Sequence, residues 1–198
     1  IMQQNQTDYE YVMAIARLYN CKVWAKEGKL CVKQLHEANE TDVIFEWGKT
    51  LVDFKPKIDS IGLNNEAEVR GWDSTGSQSV VGSATINDIP LKIGGNTLGG
   101  KLAEDNFGTS KIVIINDNVL DQSTAESIAK EALQNNSMKF ITGSGKAQGN
   151  YKVKAGSVIE LKELGTRFSG KYYVKSLKHR YTAKEGYETF FTLLRNAL

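Results

Sequence analysis

Hydrophobic and polar positions change period along this chain, and the changes mark its elements. Val12, Ile15, Ala16 and Tyr19 recur at helical spacing behind Thr7-Asp8-Tyr9-Glu10, where a Thr hydroxyl and a Glu carboxylate can satisfy each other's free backbone amides. This predicts a helix to about Tyr19, ended by Asn20 in a left-handed conformation. Lys22 to Ala25 and Lys29 to Val32 read as two strands around Glu27-Gly28, a hairpin onto which the helix can fold. Leu35 to Lys49 is polar, with one short apolar strand, Val43-Ile44-Phe45, closed by Trp47-Gly48. Alternation then predicts strands at Leu51 to Phe54 and Glu66 to Trp72, the second bounded by Asn64-Asn65 and Ser74-Thr75-Gly76. Lys111 to Ile115 is another strand, and Asn116-Asp117-Asn118 a turn. The helical period returns once, at Ala125, Ile128, Ala129, Ala132 and Leu133. Behind a second capping pair, Ser123 and Glu126, it predicts a helix over about 123–136. Met138 to Gly145 then enters a strand.

The block from Lys152 onward is β throughout. Val158, Ile159 and Leu161 make one strand, Tyr172 to Val174 with Leu177 a second, and Tyr187 to Leu194 a third. Leu164-Gly165 to Ser169-Gly170 connects the first two, and Lys184-Glu185-Gly186 is a tight turn. Three antiparallel strands in a row are expected. Tyr172 and Tyr173 place aromatic rings at both parities, so both faces of that strand should be covered, one by its own core and one by a neighbouring subunit.

Several of these stretches carry a resemblance. The run Ala155-Gly156-Ser157-Val158-Ile159-Glu160-Leu161, then Gly165, then Arg167 to Val174 and His179-Arg180-Tyr181, resembles the closing segment of the phage late control protein D family. The helix-then-hairpin pattern at the start, the stretch Leu51 to Ile58 with Glu68 to Asp73 and Val80 to Ala84, and the helix feeding Met138 to Gly145 are similar to the same family. That family includes baseplate hub proteins of contractile phage tails and the hub part of type VI secretion valine-glycine repeat proteins. The resemblance implies a homotrimer in which each subunit gives two related barrels to a pseudo-sixfold ring, joining a hexameric tail tube to a trimeric spike, either a separate protein or a fused domain. It implies a mechanical role without catalysis or cofactor, in a virion or injection apparatus assembled in the bacterial cytoplasm. Only one such barrel is legible, and the chain opens on Ile1, so an N-terminal part is expected to precede it.

Composition narrows the picture modestly. The 198 residues can bury a sizeable core without disulfides, and no apolar run approaches a membrane span or signal peptide, so no membrane anchor is expected. Cys21 and Cys31 flank the first hairpin, where they could be cross-strand neighbours, and read as buried free thiols; with His36 they lack a fourth ligand for structural zinc. Net charge is +2, but Lys152 to Arg195 holds ten Lys or Arg against four Glu. The excess is either a basic surface for nucleic acid or an acidic partner, or the solvent face of a sheet, where Lys discourages edge pairing. The second reading is preferred, and specific nucleic-acid binding is not expected.

Gly95-Asn96-Thr97-Leu98-Gly99-Gly100-Lys101 fits the spacing of a phosphate loop, but Leu102 stands where the magnesium-binding hydroxyl belongs. Asn106 and Gly108 also follow too soon for a phosphate-holding helix, so the stretch reads as a flexible Gly-rich loop. Of the two histidines, His36 falls in the polar linker and His179 in a strand, where it packs its ring. No catalytic or metal constellation stands out.

Together these readings predict a mainly β, α+β protein in two parts. Residues 1–46 form a helix-and-hairpin subdomain with linker. Residues 47–198 form an antiparallel β-barrel of the tail-tube and hub type with one inserted helix. Tyr172 and Tyr173 are the candidate interface residues. The rival classes are a polysaccharide- or nucleic-acid-binding β module and a tail-associated cell-wall hydrolase.

Overall fold

The computed structural model describes every residue except 1, 2, 4, 19, 20, 27, 35–38, 74, 75, 117 and 118. The expectations for Tyr19, Asn20, Glu27, His36, Ser74-Thr75 and Asp117-Asn118 therefore lie outside the described residues. The fold is mainly β, as the alternation predicts. Two compact units interleave along the chain. One gathers residues 1–37, 65–89 and 110–134, the other 38–64, 90–109 and 135–198.

In the first unit, helix α1 (Asp8–Leu18) begins behind the reciprocal pair anticipated from sequence. The Thr7 amide donates to Glu10 at 2.8 Å, and the Glu10 amide to the Thr7 hydroxyl at 3.3 Å. Strands β1 (Cys21–Lys26) and β2 (Lys29–Gln34) form the hairpin, turning at Gly28 with φ 74°. Cys21 pairs with Gln34 and Cys31 with Trp24, so the thiols are not cross-strand neighbours. Neither is in a disulfide, and both are half-buried, not buried.

The same unit holds a three-stranded sheet. Its central strand β5 (Glu66–Asp73) runs antiparallel to β6 (Gln78–Thr85) and parallel to β7 (Lys111–Ile115). Ala67, Val69 and Ala84 on one face are buried, as are Ala125, Ala129 and Leu133 of helix α3 (Gln122–Ser137). Gly82 lets the helix approach closely, because a Cβ there would overlap the backbone at Ala125 and Glu126. The helix start differs from the expectation. Its cap is Asp121, whose carboxylate accepts from the Thr124 amide at 2.8 Å and from the Ser123 and Thr124 hydroxyls. A carboxylate at this position satisfies the free amides of the first turn and complements the helix dipole, which a Ser hydroxyl does less strongly.

The second unit is a six-stranded sheet in the order β3-β9-β10-β11-β8-β4, formed by β3 (Asn39–Glu46), β4 (Leu51–Ile58), β8 (Ile141–Gln148), β9 (Ser157–Lys162), β10 (Gly170–Thr182) and β11 (Gly186–Arg195). The consecutive antiparallel run β9-β10-β11 is as expected, with the one-turn helix α4 (Gly165–Phe168) between its first two strands. Strand β3, placed by sequence in the linker of the first part, instead joins this sheet, parallel to β9. The edge strands β3 and β4 are joined by a tight turn at Gly48, and a bridge forms between Trp47 and Leu51.

The sheet curls into a half-barrel. Inside the curl, Phe45 of β3 stacks on Phe191 of β11 at 5.9 Å, and Phe54 of β4 meets Tyr172 of β10 edge-on at 5.6 Å. Leu51, Ile141, Ile159, Leu161, Val174 and Leu193 complete this core.

The Gly-rich stretch is not a flexible loop. Ile93 and Leu98 are buried, and helix α2 (Gly99–Phe107) starts inside the stretch. Residues 91–99 are tied to the last residues of the chain: Thr97 and Leu198 exchange backbone bonds at 3.0 and 2.9 Å, and the Gly99 amide donates to Asn196 O at 2.8 Å. Asn196, fully buried, accepts from the Ile93 amide at 2.7 Å and donates to Leu91 O at 2.6 Å. Gly99 is a packing residue, since a Cβ there would overlap the Phe140 ring.

Candidate functional site

In an antiparallel sheet, directly paired residues point to the same face. The register of β10, β11, β8 and β4 therefore sorts every side chain of the curl into core or outer face. Tyr172 pairs with Ile159 and shares the core face with Val174 and Leu193. Tyr173 pairs with Leu194 and Val158 on the opposite face. The alternation expected of these adjacent rings is present. Tyr172 is fully buried and donates its hydroxyl to Phe168 O at 2.8 Å, while Tyr173 is 7% exposed, covered within the single chain. Burial pushes both phenols above their ordinary pKa, and Arg195 pulls that of Tyr172 part of the way back.

The outer face of the curl gathers Lys178 and Arg180 from the basic closing block with Lys146 and Lys55 from outside it. One cross-strand row reads Lys178, Phe190, Lys146, Asp53, and a neighbouring row on the same face reads Ser176, Thr192, Ser144, Lys55. On the other side of the first row stand Arg180 and Glu188. These rows line a shallow groove of about 560 Å³. Glu188 bridges two of the cations, 2.9 Å from Lys146 and 2.6 Å from Arg180, and Arg180 also pairs with Glu185. Hydrogen bonds from Arg180 and then Lys146 hold the Glu188 carboxyl below its ordinary pKa. The Arg180 guanidinium lies 5.0 Å from the Phe190 ring centroid. Lys178 makes no ion pair among the described residues, and Lys55 meets Asp53 only at 3.8 Å. Lys146 and Lys55 lie outside the basic block, and only the register shows that they come together with Lys178.

A second open surface is the face of the three-stranded sheet opposite α3. Register places Trp72, Val81, Val113 and Ile115 on it, exposed by 50%, 47%, 50% and 76%. Glu68 crosses its centre, ion-paired to Arg70 at 2.7 Å and to Lys111. Strand β7 is an edge of this sheet.

The remaining sequence candidates take simple places. Lys101 lies on α2 and pairs with Glu104 and Asp105, both at 2.9 Å, so the would-be phosphate lysine is already engaged. The amides of Lys101 and Leu102 donate to Leu98 O, at 3.0 and 3.2 Å, and are turned into the helix. His179 packs against Tyr187, with its Nδ1 3.1 Å from both the Thr189 and Tyr187 hydroxyl oxygens. Among the described residues no three His, Cys, Asp or Glu side chains converge as a metal site, and no helix is long and apolar enough to cross a membrane.

The fold is shared with solved tail proteins. The chain is similar to a 43 kDa tail protein of prophage MuSo2 from Shewanella oneidensis, with TM-score 0.71 and 11% identity over 98% of this chain and 56% of that one. A tail protein from Neisseria meningitidis MC58 gives 0.70 and 10% over 98% and 57%. A chain in the virion of a native gene transfer agent particle gives 0.63 and 12% over 98% and 40%. At these identities the likeness establishes the fold, and the chain spans about half the length of the tail proteins it matches. No curated protein matches the sequence. The family model described as Alg8 N-terminal domain matches residues 1–183, so the chain belongs to the Alg8 N-terminal domain family.

Proposed function

We propose that this chain is a structural part of a phage-type tail, serving in its baseplate hub. The observation that carries the reading is the likeness in fold to tail proteins across 98% of the chain at TM-scores near 0.7. The sequence resemblance to the late control protein D family points the same way and adds the finer role. In that role the chain assembles as a homotrimeric ring between tail tube and spike, without catalysis, in the virion or assembled apparatus.

The surfaces suit such a role. A subunit in a closed ring presents two different patches to its two neighbours. Trp72, Val81, Val113 and Ile115 form an open apolar face of the kind that marks protein contacts. The carboxyls of Glu10, Asp59, Glu68, Asp88, Asp121 and Glu188 are all displaced below their ordinary pKa by hydrogen-bonding partners.

The test is protein mass spectrometry on tail particles purified from the source cells. The protein is expected in the particles at a fixed ratio to the tube protein. Intact tails lacking it would overturn the reading.

A further inference from the structure

The groove on the outer face of the curl leaves Lys178 without an ion pair among the described residues and Lys55 with one only at 3.8 Å. It lies over a core that Phe45, Phe54, Tyr172 and Phe191 already fill from the other side. Four of its lining residues are cationic, Lys55, Lys146, Lys178 and Arg180; Glu188 pairs with Lys146 and Arg180, and Asp53 stands 3.8 Å from Lys55. The hydroxyls of Ser144, Ser176 and Thr192 stand in the row beside them. We infer that this groove is a docking site for an acidic polypeptide segment of a partner protein, held by carboxylates that reach Lys178 and Lys55 on either side of the Lys146–Glu188 pair.

The geometry favours a peptide over a nucleic acid. Lys178 and Lys55 sit on strands separated by β11 and β8, so their backbones are roughly 15 Å apart at ordinary strand spacing. The flexible ammonium arms can close on side-chain carboxylates at successive positions of a crossing strand, with the hydroxyls completing charge-assisted hydrogen bonds. A single-stranded nucleic acid needs an open aromatic platform. Of the two aromatic residues lining the groove, Phe191 is buried and stacked on Phe45, and Phe190 is half-buried with Arg180 5.0 Å from its centroid. Asp53 and Glu188 also interrupt the positive surface, which repels a continuous phosphate backbone but leaves discrete sites for separate carboxylates. Such a contact gains much of its strength and association rate from opposite charge, so it weakens as salt rises. The inference does not depend on which apparatus the protein belongs to.

The experiment titrates the full protein at low salt with a fluorescein-labelled deca-glutamate peptide. A deca-glutamine peptide and a single-stranded DNA oligonucleotide of equal charge are titrated in parallel. Saturable binding of the acidic peptide alone is expected, falling at least about tenfold between 50 and 300 mM salt. The double variant Lys55→Ala/Lys178→Ala should lose at least about tenfold in affinity, each lysine supplying one charge-assisted contact. The control Lys154→Ala/Lys184→Ala, on exposed residues outside the groove, should lose less than about twofold. Both double variants must melt as the parent does, which exposed lysines permit. The proposal is overturned by an absence of acidic-peptide binding, by equal losses in the two double variants, or by tighter binding of DNA than of peptide.

Discussion

The guanidinium of Arg195 lies over the ring of Tyr172, 5.3 Å from its centroid, although the two residues sit on different strands and 23 positions apart in sequence. Arg195 is 2% exposed and donates to three backbone carbonyls, Ser169 O at 2.9 Å, Gly94 O at 2.8 Å and Ala197 O at 2.8 Å. One cation thus fastens the entry of β10, the end of β11 and the Gly-rich segment to one core ring. Its charge is met by carbonyl dipoles and the ring face. Arg195→Met should cost about 2–4 kcal/mol, because it leaves buried carbonyls without donors. Arg195→Lys should recover only part, since an ammonium cannot fork toward three carbonyls in the guanidinium plane. Urea denaturation of the two variants checks this, and a loss below about 0.5 kcal/mol for Arg195→Met would contradict it.

The Gly-rich segment gives a paired prediction that separates packing from phosphate binding. Gly99→Ala should destabilise the protein by about 1–3 kcal/mol, because its Cβ would overlap the Phe140 ring. Lys101→Ala removes only exposed pairs on α2 and should leave the melting temperature and any assembly unchanged. Calorimetry with ATP should show no saturable heat with the parent or with Lys101→Ala. Saturable ATP binding lost on that substitution would overturn this account of the segment.

Asp121 makes stability depend on acid. Its carboxyl falls from the ordinary 3.8 to about 2, through the Ser123 hydroxyl and then the Thr124 amide and hydroxyl. The folded pKa is depressed, so the stabilisation is complete above about pH 4 and is lost as pH falls toward about 2. Asp121→Ala should therefore lower the urea midpoint at pH 7, and the gap between variant and parent should close between pH 4 and pH 2. A gap independent of pH in that window would remove Asp121 as the cap of α3.

Gly170 opens β10 with φ 126°, a conformation that side chains rarely adopt. The space for a Cβ is ordinary, with Arg195 Nη1 and Gly94 O both at 3.5 Å, so strain in the backbone sets the penalty. Gly170→Val should cost about 1–3 kcal/mol in thermal unfolding. An unchanged melting temperature would contradict the assignment.

What could be read from sequence follows from locality. The capping pair Thr7 and Glu10, the apolar face of α3 and the alternation of β5, β9, β10 and β11 are local signals, and the structure has these elements where the pattern placed them. The places where it departs depend on distant partners. Helix α2 starts on two glycines behind Leu98, a poor local beginning, and Phe140 and the chain's last residues hold it in place. The strand read at Val43-Ile44-Phe45 belongs to β3, but its place in the six-stranded sheet was hidden because its mate β9 lies more than 100 residues away and pairs in parallel. Asp121 takes the cap from Ser123 because its carboxylate reaches the Thr124 amide as well as both hydroxyls. The basic groove was not legible in the sequence, because the excess over residues 152–195 gives it only Lys178 and Arg180, while Lys55 and Lys146 come from strands distant in sequence. The bulge in β10 between Val174 and Ser176 shifts the strand by one residue, so counting parity from Tyr173 misassigns Lys178 and Arg180.

The most direct test of the hub reading is the mass of the intact protein in solution, by sedimentation or native mass spectrometry. The parent should carry three subunits, each contributing the 21.9 kDa of this chain together with whatever else the intact subunit contains. Val113→Lys/Ile115→Lys, placed on the open face of the three-stranded sheet, should release folded monomers with an unchanged circular dichroism spectrum. A folded parent that stays at the mass of one subunit up to high micromolar concentration would contradict the trimeric hub.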